Sequence, residues 1–414
     1  LLLLFSKIGN SLDTTQPKNW KMLAKWEPHA SYIVQFSFIA IHKGHIFNKL
    51  GLWSSQKGKY QKALEYHEEA LNIRKELREE NYLHAASLNN IGTAYSDLGN
   101  HKKALYYYQK ALALQKEFYG KEHSEVAICL NNVGTAYSSL GNSQEALLYH
   151  QKALIIWEKI YDKKHPHLAS GFNNVGEAYR TLGNFQEALS YFQKALTIRE
   201  RVYDKGHPDI VNSLSSIGGI YVDLGKFQKA LPYFLETLTI QEKVYGKEHP
   251  RVADSLNNIG GVYNNLGKSQ EALPYLQRAL FLQEEIYGKE HSNVAKCLNN
   301  IGTAYNNLDK SQEALLYLQK ALVIWEKILG KEHPHVASCL YNIGIAYDNL
   351  DKLQKALSHY QGAMAIWKKS YGKEHPLVAN SLNNIGLIYE ALGDQEKAQE
   401  YFEQAERIKR HLRI

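Results

Sequence analysis

Leu88-Asn89-Asn90-Ile91-Gly92 is followed shortly by Tyr95, and the frame returns as Leu130 to Gly134, Phe172 to Gly176, Leu214 to Gly218, Leu256 to Gly260, Leu298 to Gly302, Leu340 to Gly344 and Leu382 to Gly386. Every step is 42 residues. A degenerate copy, Phe47-Asn48-Lys49-Leu50-Gly51, stands 41 residues before the first regular one and lacks the tyrosine. Nine copies therefore occupy roughly residues 45 to 414. A fixed period of this size marks a stacked-repeat architecture, in which each unit buries its apolar face only against its neighbours.

Within a unit the spacing predicts helix-turn-helix. His165-Pro166 opens a first helix, because a proline at the first helical position gives up an N–H that has no intrahelical partner anyway. Leu168, Phe172, Val175, Tyr179 and Leu182 follow at intervals of three and four and draw one apolar stripe, which Gly183-Asn184 ends. Ala188, Tyr191, Phe192, Ala195, Leu196 and Ile198 draw the second stripe, which closes at Asp204-Lys205-Gly206. Gly176, Ala188 and Ala195 are small where two helices must approach closely, and every regular copy repeats the set except for Thr237 at the last position.

This spacing resembles the tetratricopeptide repeat family, whose signature places Leu-Gly, Tyr, Ala, an aromatic and Ala at fixed offsets. The 42-residue period and the Tyr-Gly-Lys-Glu-His-Pro linkers at 245–250 and 371–376 resemble kinesin light chains and nephrocystin-3-like arrays. The resemblance implies an all-α fold, a right-handed α-solenoid of about nine helix-turn-helix units whose first helices line a concave face. It also implies a non-enzymatic scaffold that holds proteins or extended peptides in that groove. Kinesin light chains carry a heptad coiled coil ahead of the array, and residues 1–44 show no sustained heptads. A cargo adaptor of that kind is the alternative reading.

Residues 1–44 are expected to form a helical cap over the first repeat or the end of an upstream domain, with the array at 45–414. Trp20-Lys21-Met22-Leu23-Ala24-Lys25-Trp26-Glu27-Pro28-His29 resembles the stretch joining nucleotide-binding switch domains to their repeat arms, so a sensor arm of a signal-transduction ATPase is a second alternative. Leu1 is not Met, which suggests a piece of something longer. The Leu1-to-Phe5 run is too short for a signal-peptide core, and no apolar stretch nears the ~20 residues that span a bilayer.

Charge narrows the partners. The net +7 comes from 49 Lys and Arg interleaved with 42 Asp and Glu, so no basic stripe tracks a phosphate backbone and nucleic acid is not expected. Three cysteines in 414 residues fit a reducing, cytoplasmic setting. Cys129, Cys297 and Cys339 share one register position with Ser87, Gly171, Ser213, Ser255 and Ser381, a position that demands a small side chain, and are expected to be reduced.

Histidines recur once per linker, at 123, 165, 207, 249, 291, 333 and 375. Neighbours one helix pair apart stand roughly 10 Å from each other, too far to share a zinc bound at about 2 Å, so they are read as caps of the first helix and no metal is expected. Gly267-Lys268-Ser269 ends like a phosphate loop, but Val262 stands where the motif needs Gly and no strand precedes it. Every conspicuous residue obeys the period, which points away from catalysis and cofactors.

The expected binding face is built from residues two before the marker glycine: Asn90, Asn132, Asn174, Asn258, Asn300, Asn342 and Asn384, with Ser216 in the remaining copy. Asn is disfavoured in helix interiors, so seven in register suggest a task. A carboxamide offers both a donor and an acceptor to an extended peptide backbone. Selectivity is expected from Ser170, Asp254 and Lys296 early in the helix, from Thr135, Glu177, Gly261 and Ile345 just after the glycine, and from Asn265 and Asn307 a turn later.

Overall fold

The computed structural model describes residues 40–76, 81–204 and 206–412, and among them there are eighteen helices and no strand. The cap expected over residues 1–44 lies, up to residue 39, outside the described residues. The helices form nine consecutive pairs: α1 and α2 (Ala40–Gln56, Tyr60–Glu76), α3 and α4 (Asn81–Asp97, His101–Tyr119), α5 and α6 (Ser124–Ser139, Ser143–Ile160) and α7 and α8 (Pro166–Thr181, Phe185–Val202). Then follow α9 and α10 (Pro208–Asp223, Phe227–Tyr245), α11 and α12 (Pro250–Asn265, Ser269–Tyr287), α13 and α14 (Ser292–Asn307, Ser311–Leu329), α15 and α16 (Pro334–Asn349, Leu353–Tyr371) and α17 and α18 (Pro376–Ala391, Gln395–Leu412). The chain divides into two compact units, Leu1–Asp204 and Lys205–Ile414.

The linker histidines start the first helices as expected. In each of the seven the Nδ1 of the histidine accepts the backbone N–H two residues on, as His165 does from His167 at 3.2 Å and His333 from His335 at 3.1 Å. Each caps one of the four N–H groups that a helix start leaves without a partner. In five of them, His123, His165, His249, His291 and His375, the ring also stacks on the tyrosine four residues earlier, with centroids 3.6 Å apart for Tyr161 and His165 and 4.0 Å for Tyr119 and His123. The turn between the two helices closes on a left-handed residue: Gly183 has φ 79°, and Asn184 N–H reaches Tyr179 O at 2.9 Å. Two copies put aspartate in that conformation instead, Asp309 at φ 57° and Asp351 at φ 56°.

The marker glycine receives a side chain from the second helix of its own pair. A Cβ on Gly92 would lie 2.7 Å from the Tyr108 ring, on Gly134 2.8 Å from the His150 ring, on Gly176 2.8 Å from Phe192 and on Gly260 2.4 Å from Leu276. That insertion brings the pair together and buries the alanines beside it, Ala104, Ala146, Ala188 and Ala272, completely.

Within each unit, pairs join through the second half of the second helix. Arg74 on α2 is buried and donates from Nη1 to Ser87 Oγ at 2.7 Å and Leu83 O at 2.8 Å on α3. At the same register Gln241 Oε1 accepts from Ser255 Oγ at 2.7 Å, and the Trp157 indole lies where a Cβ on Gly171 would meet it at 3.1 Å. The small-residue position of the cysteines is therefore set by what the preceding helix inserts. Cys129, Cys297 and Cys339 are buried and unpaired, and burial pushes each thiol up to about 12.

Within each unit the first helices form the tighter layer. α1 touches α3 and α5 touches α7; in the second unit α11 touches α13 and α13 touches α15, and no two second helices come as close. Among the described residues no helix is long and apolar enough to cross a membrane.

Candidate peptide-binding face

On α11 the residues not buried against a neighbouring helix include Arg251, Asp254, Asn258, Gly261 and Asn265, at steps of three and four, while Val252, Ala253, Ser255, Leu256, Ile259 and Gly260 between them are buried. That spacing is one face of a 3.6-residue helix. All the residues expected to contact a ligand fall on this face of their own first helix. Ser170, Asp254, Lys296, Asn265 and Asn307 are exposed, and Glu177 and Ile345 are half-buried.

The seven asparagines are half-buried, and six of them bond to the preceding repeat. Asn90 Nδ2 donates to Asn48 Oδ1 at 2.8 Å, Asn132 to Asn89 at 2.9 Å and Asn174 to Asn131 at 2.8 Å. In the second unit Asn300 donates to Asn257 Oδ1 at 3.0 Å, Asn342 to Asn299 at 3.1 Å and Asn384 to the Tyr341 hydroxyl at 2.9 Å. Asn258 makes no such bond among the described residues, and the preceding copy carries Ser215 where five others carry the accepting asparagine and one Tyr341. Each rung engages one N–H of the donor carboxamide. Asn342 Nδ2 also reaches Thr303 Oγ1 at 3.2 Å, whereas Asn90, Asn132, Asn174 and Asn300 make no further side-chain hydrogen bond among the described residues.

Sequence reasoning singled out the donors and missed the acceptors. Asn48, Asn89, Asn131, Asn257 and Asn299 precede the marker glycine by three residues, and in the regular copies the Asn-Asn doublet was itself the signal. Two histidines complete the acceptors' bonding: His67 Nδ1 lies 2.9 Å from Asn48 Oδ1 and His150 Nδ1 2.9 Å from Asn131 Oδ1. Because that oxygen only accepts, Nδ1 must carry the proton, the opposite tautomer to the linker histidines. Burial holds both imidazoles down to about 4, with Arg74 adding to the effect on His67.

The charged members of the face are sparse. Asp254 Oδ1 accepts from Gln283 Nε2 at 2.8 Å, and burial raises its carboxyl despite the opposing pull of Lys296 and of that hydrogen bond. Arg180 lies 3.9 Å from Glu177. Asn265 Nδ2 turns back to Gly261 O at 2.8 Å, and Asn307 Nδ2 reaches Ser269 Oγ at 3.0 Å.

A tetratricopeptide repeat family model matches residues 44–117, 83–159, 145–201, 167–243, 209–285, 251–322, 298–360 and 349–411. The chain belongs to the tetratricopeptide repeat family. Among solved structures, the apo form of RapI is similar with a TM-score of 0.67 and 18% identity over 89% of this chain and 98% of that one. A Rap protein complexed with competence and sporulation factor is similar with a TM-score of 0.58 and 14% identity over 90% and 99%. A kinesin light chain-like protein of Podosopora anserina, with nearly identical TPR-like repeats, gives 23% identity and a TM-score of 0.43 over 49% and 95%. No curated protein matches the sequence. This tetratricopeptide array is thus a repeat scaffold, of a fold that is generally non-catalytic.

Proposed function

We propose that the open face of the first helices binds an extended peptide, with the asparagine ladder gripping its backbone. The observation that carries this reading is the rung itself. By fixing one N–H of Asn90, Asn132 and Asn174 in the first unit, and of Asn300, Asn342 and Asn384 in the second, on the preceding repeat, it holds the carboxamides of each unit in place without the ordering cost a free side chain would incur on binding. A backbone with alternating C=O and N–H groups matches such a row. Asp254, Lys296, Glu177 and Ile345 then select side chains. A protein of this fold bound to competence and sporulation factor agrees with a ligand-holding role.

The most perturbed groups among the described residues, including His67, His150 and the three thiols, are buried in the core, which supports a binding role for the face. The unpaired cysteines suit a reducing compartment, and we place the protein in the cytoplasm.

Asn258 and Lys296 separate binding from folding, because neither holds a neighbouring repeat by a hydrogen bond. Peptides selected from a random display library on the wild-type protein should bind Asn258→Ala with Lys296→Glu at least tenfold more weakly by fluorescence anisotropy, with an unchanged melting curve. Equal affinity for the variant places the site elsewhere.

A further inference from the structure

The second helices hold a feature unrelated to the first-helix face. α6 and α14, four repeats apart, are the two second helices that set a leucine and a β-branched residue two turns apart on the outside: Leu148 and Ile155, and Leu316 and Val323. Leu148 is 48% exposed and Ile155 53%; Leu316 is 62% and Val323 64%. Other second helices carry Ser190 and Thr197, Pro232 and Thr239, or Ser358 and Ala365 at these positions. Phe281 on α12 sits at the register of Val323 one repeat earlier and is 61% exposed, which widens the apolar patch around α14. Single exposed apolar residues need no explanation, whereas a recurring seven-residue pair of them is the pattern of a helix seam.

The charges beside these residues choose the occupant. α14 reads Glu313, Leu316, Lys320, Val323, Lys327 along its exposed face, and α6 reads Glu145, Leu148, Lys152, Ile155, Lys159. Acid lies at the N-terminal end and base in the middle and at the C-terminal end of both. A copy laid parallel would set glutamate on glutamate and lysine on lysine. A copy laid antiparallel about a two-fold axis between Gln319 and Lys320 sets Leu316 on Val323 of the second copy and brings Glu313 within one residue of its Lys327 at both ends, two opposite-charge pairs against the one like-charge meeting of Lys320 with Lys320 at the axis. It also opposes the helix dipoles favourably. Lys327 already meets Glu290 of its own chain at 2.5 Å, an exposed pair that leaves its remaining donors for a second carboxylate.

From this we infer that the partner of the α14 face is a second copy of this chain, joined through an antiparallel helix pair centred between Gln319 and Lys320, and that α6 offers the same self-complementary face. Light scattering on the eluting full chain tests it. The wild type should show a mass of at least two 47.3 kDa chains that rises with concentration between 1 and about 100 μM, the range in which modest interfaces form. Leu316→Lys with Val323→Lys should raise the dissociation constant at least tenfold, and adding Leu148→Lys and Ile155→Lys should leave a single chain, all with unchanged circular dichroism. Gln319→Cys should form an inter-chain disulfide with itself under oxidation, whereas Gln312→Cys, two turns from the axis, should not. A wild type that stays at 47.3 kDa throughout overturns the inference, as does a quadruple variant that keeps the wild-type mass. Cross-linking of Gln312→Cys in place of Gln319→Cys overturns the antiparallel register.

Discussion

The stretch from α1 to α6 and the stretch from α11 to α15 use one repeat frame and hold it together differently. In the first, two of the three side chains that fill the marker glycine's hollow are imidazoles, His67 and His150, each bonded to a ladder acceptor. In the second, Leu276 and Leu318 fill the same hollow without a polar atom. Amides added one turn beyond the glycine compensate there. Asn264 Nδ2 donates to Asn300 O and Asn306 Nδ2 to Asn342 O, both at 2.9 Å, while Asn307 and Asn349 reach Ser269 and Ser311 at 3.0 and 3.2 Å. The matching positions in the first stretch hold Ser96, Asp97, Ser138 and Ser139. Adhesion between repeats can therefore sit in the core of a pair or along its open face, and the choice decides what breaks it.

Acid should weaken the first stretch more than the second, where burial lowers His249 and His335 at helix starts but places no imidazole in the glycine's hollow. His67 and His150 have folded values near 4 against an ordinary 6.5, so the folded state favours the neutral ring. Their contribution is fully present above about pH 6.5 and is lost as pH falls towards 4, up to about 3 kcal/mol for each. Urea unfolding at pH 7 and 4.5 should show this loss, and His67→Phe with His150→Phe, matching Phe192, should remove most of it. An acid-sensitive midpoint that survives the double substitution would place the sensitivity elsewhere.

Overpacking sharpens the contrast next. An added methyl on Gly260 meets buried Leu276 at 2.4 Å, so Gly260→Ala should cost about 2–3 kcal/mol in chemical denaturation. Gly134→Ala meets His150 at 2.8 Å and should cost about 1–2 kcal/mol. Asn306→Ser, which imports the residue of the first stretch, removes one bond to Asn342 O and should cost about 1 kcal/mol in the same measurement. The smallest effect belongs to the turns. Asp309→Gly and Asp351→Gly relieve a left-handed backbone and should each raise stability by about 0.5 kcal/mol, seen as a melting temperature higher by a degree or two.

The helix pairs, their histidine caps and the small-residue positions were legible in the sequence because each follows from local spacing: a proline at the first helical position, glycine at the turn, a stripe at three and four. The exposed face was legible for the same reason. What connects repeats was not. Whether Asn132 points to a ligand or to Asn89 depends on the rise and rotation between helix pairs, which no single repeat encodes. The imidazole in the glycine's hollow was hidden because His67, Tyr108, His150, Phe192 and Leu276 share a register position but no chemistry. Their common property is a volume that only the packed pair reveals.

The peptide-binding account stands most directly on the carboxamides themselves. Side-chain amide NMR resonances of Asn132, Asn174, Asn300 and Asn342, followed while a library-selected peptide is added, report whether the ladder touches it. The account predicts that the signals of at least one unit's pair, Asn132 with Asn174 or Asn300 with Asn342, shift together at saturation, while that of Asn264, buried between α11 and α13, stays in place. Tight peptide binding that leaves all four unmoved would contradict it.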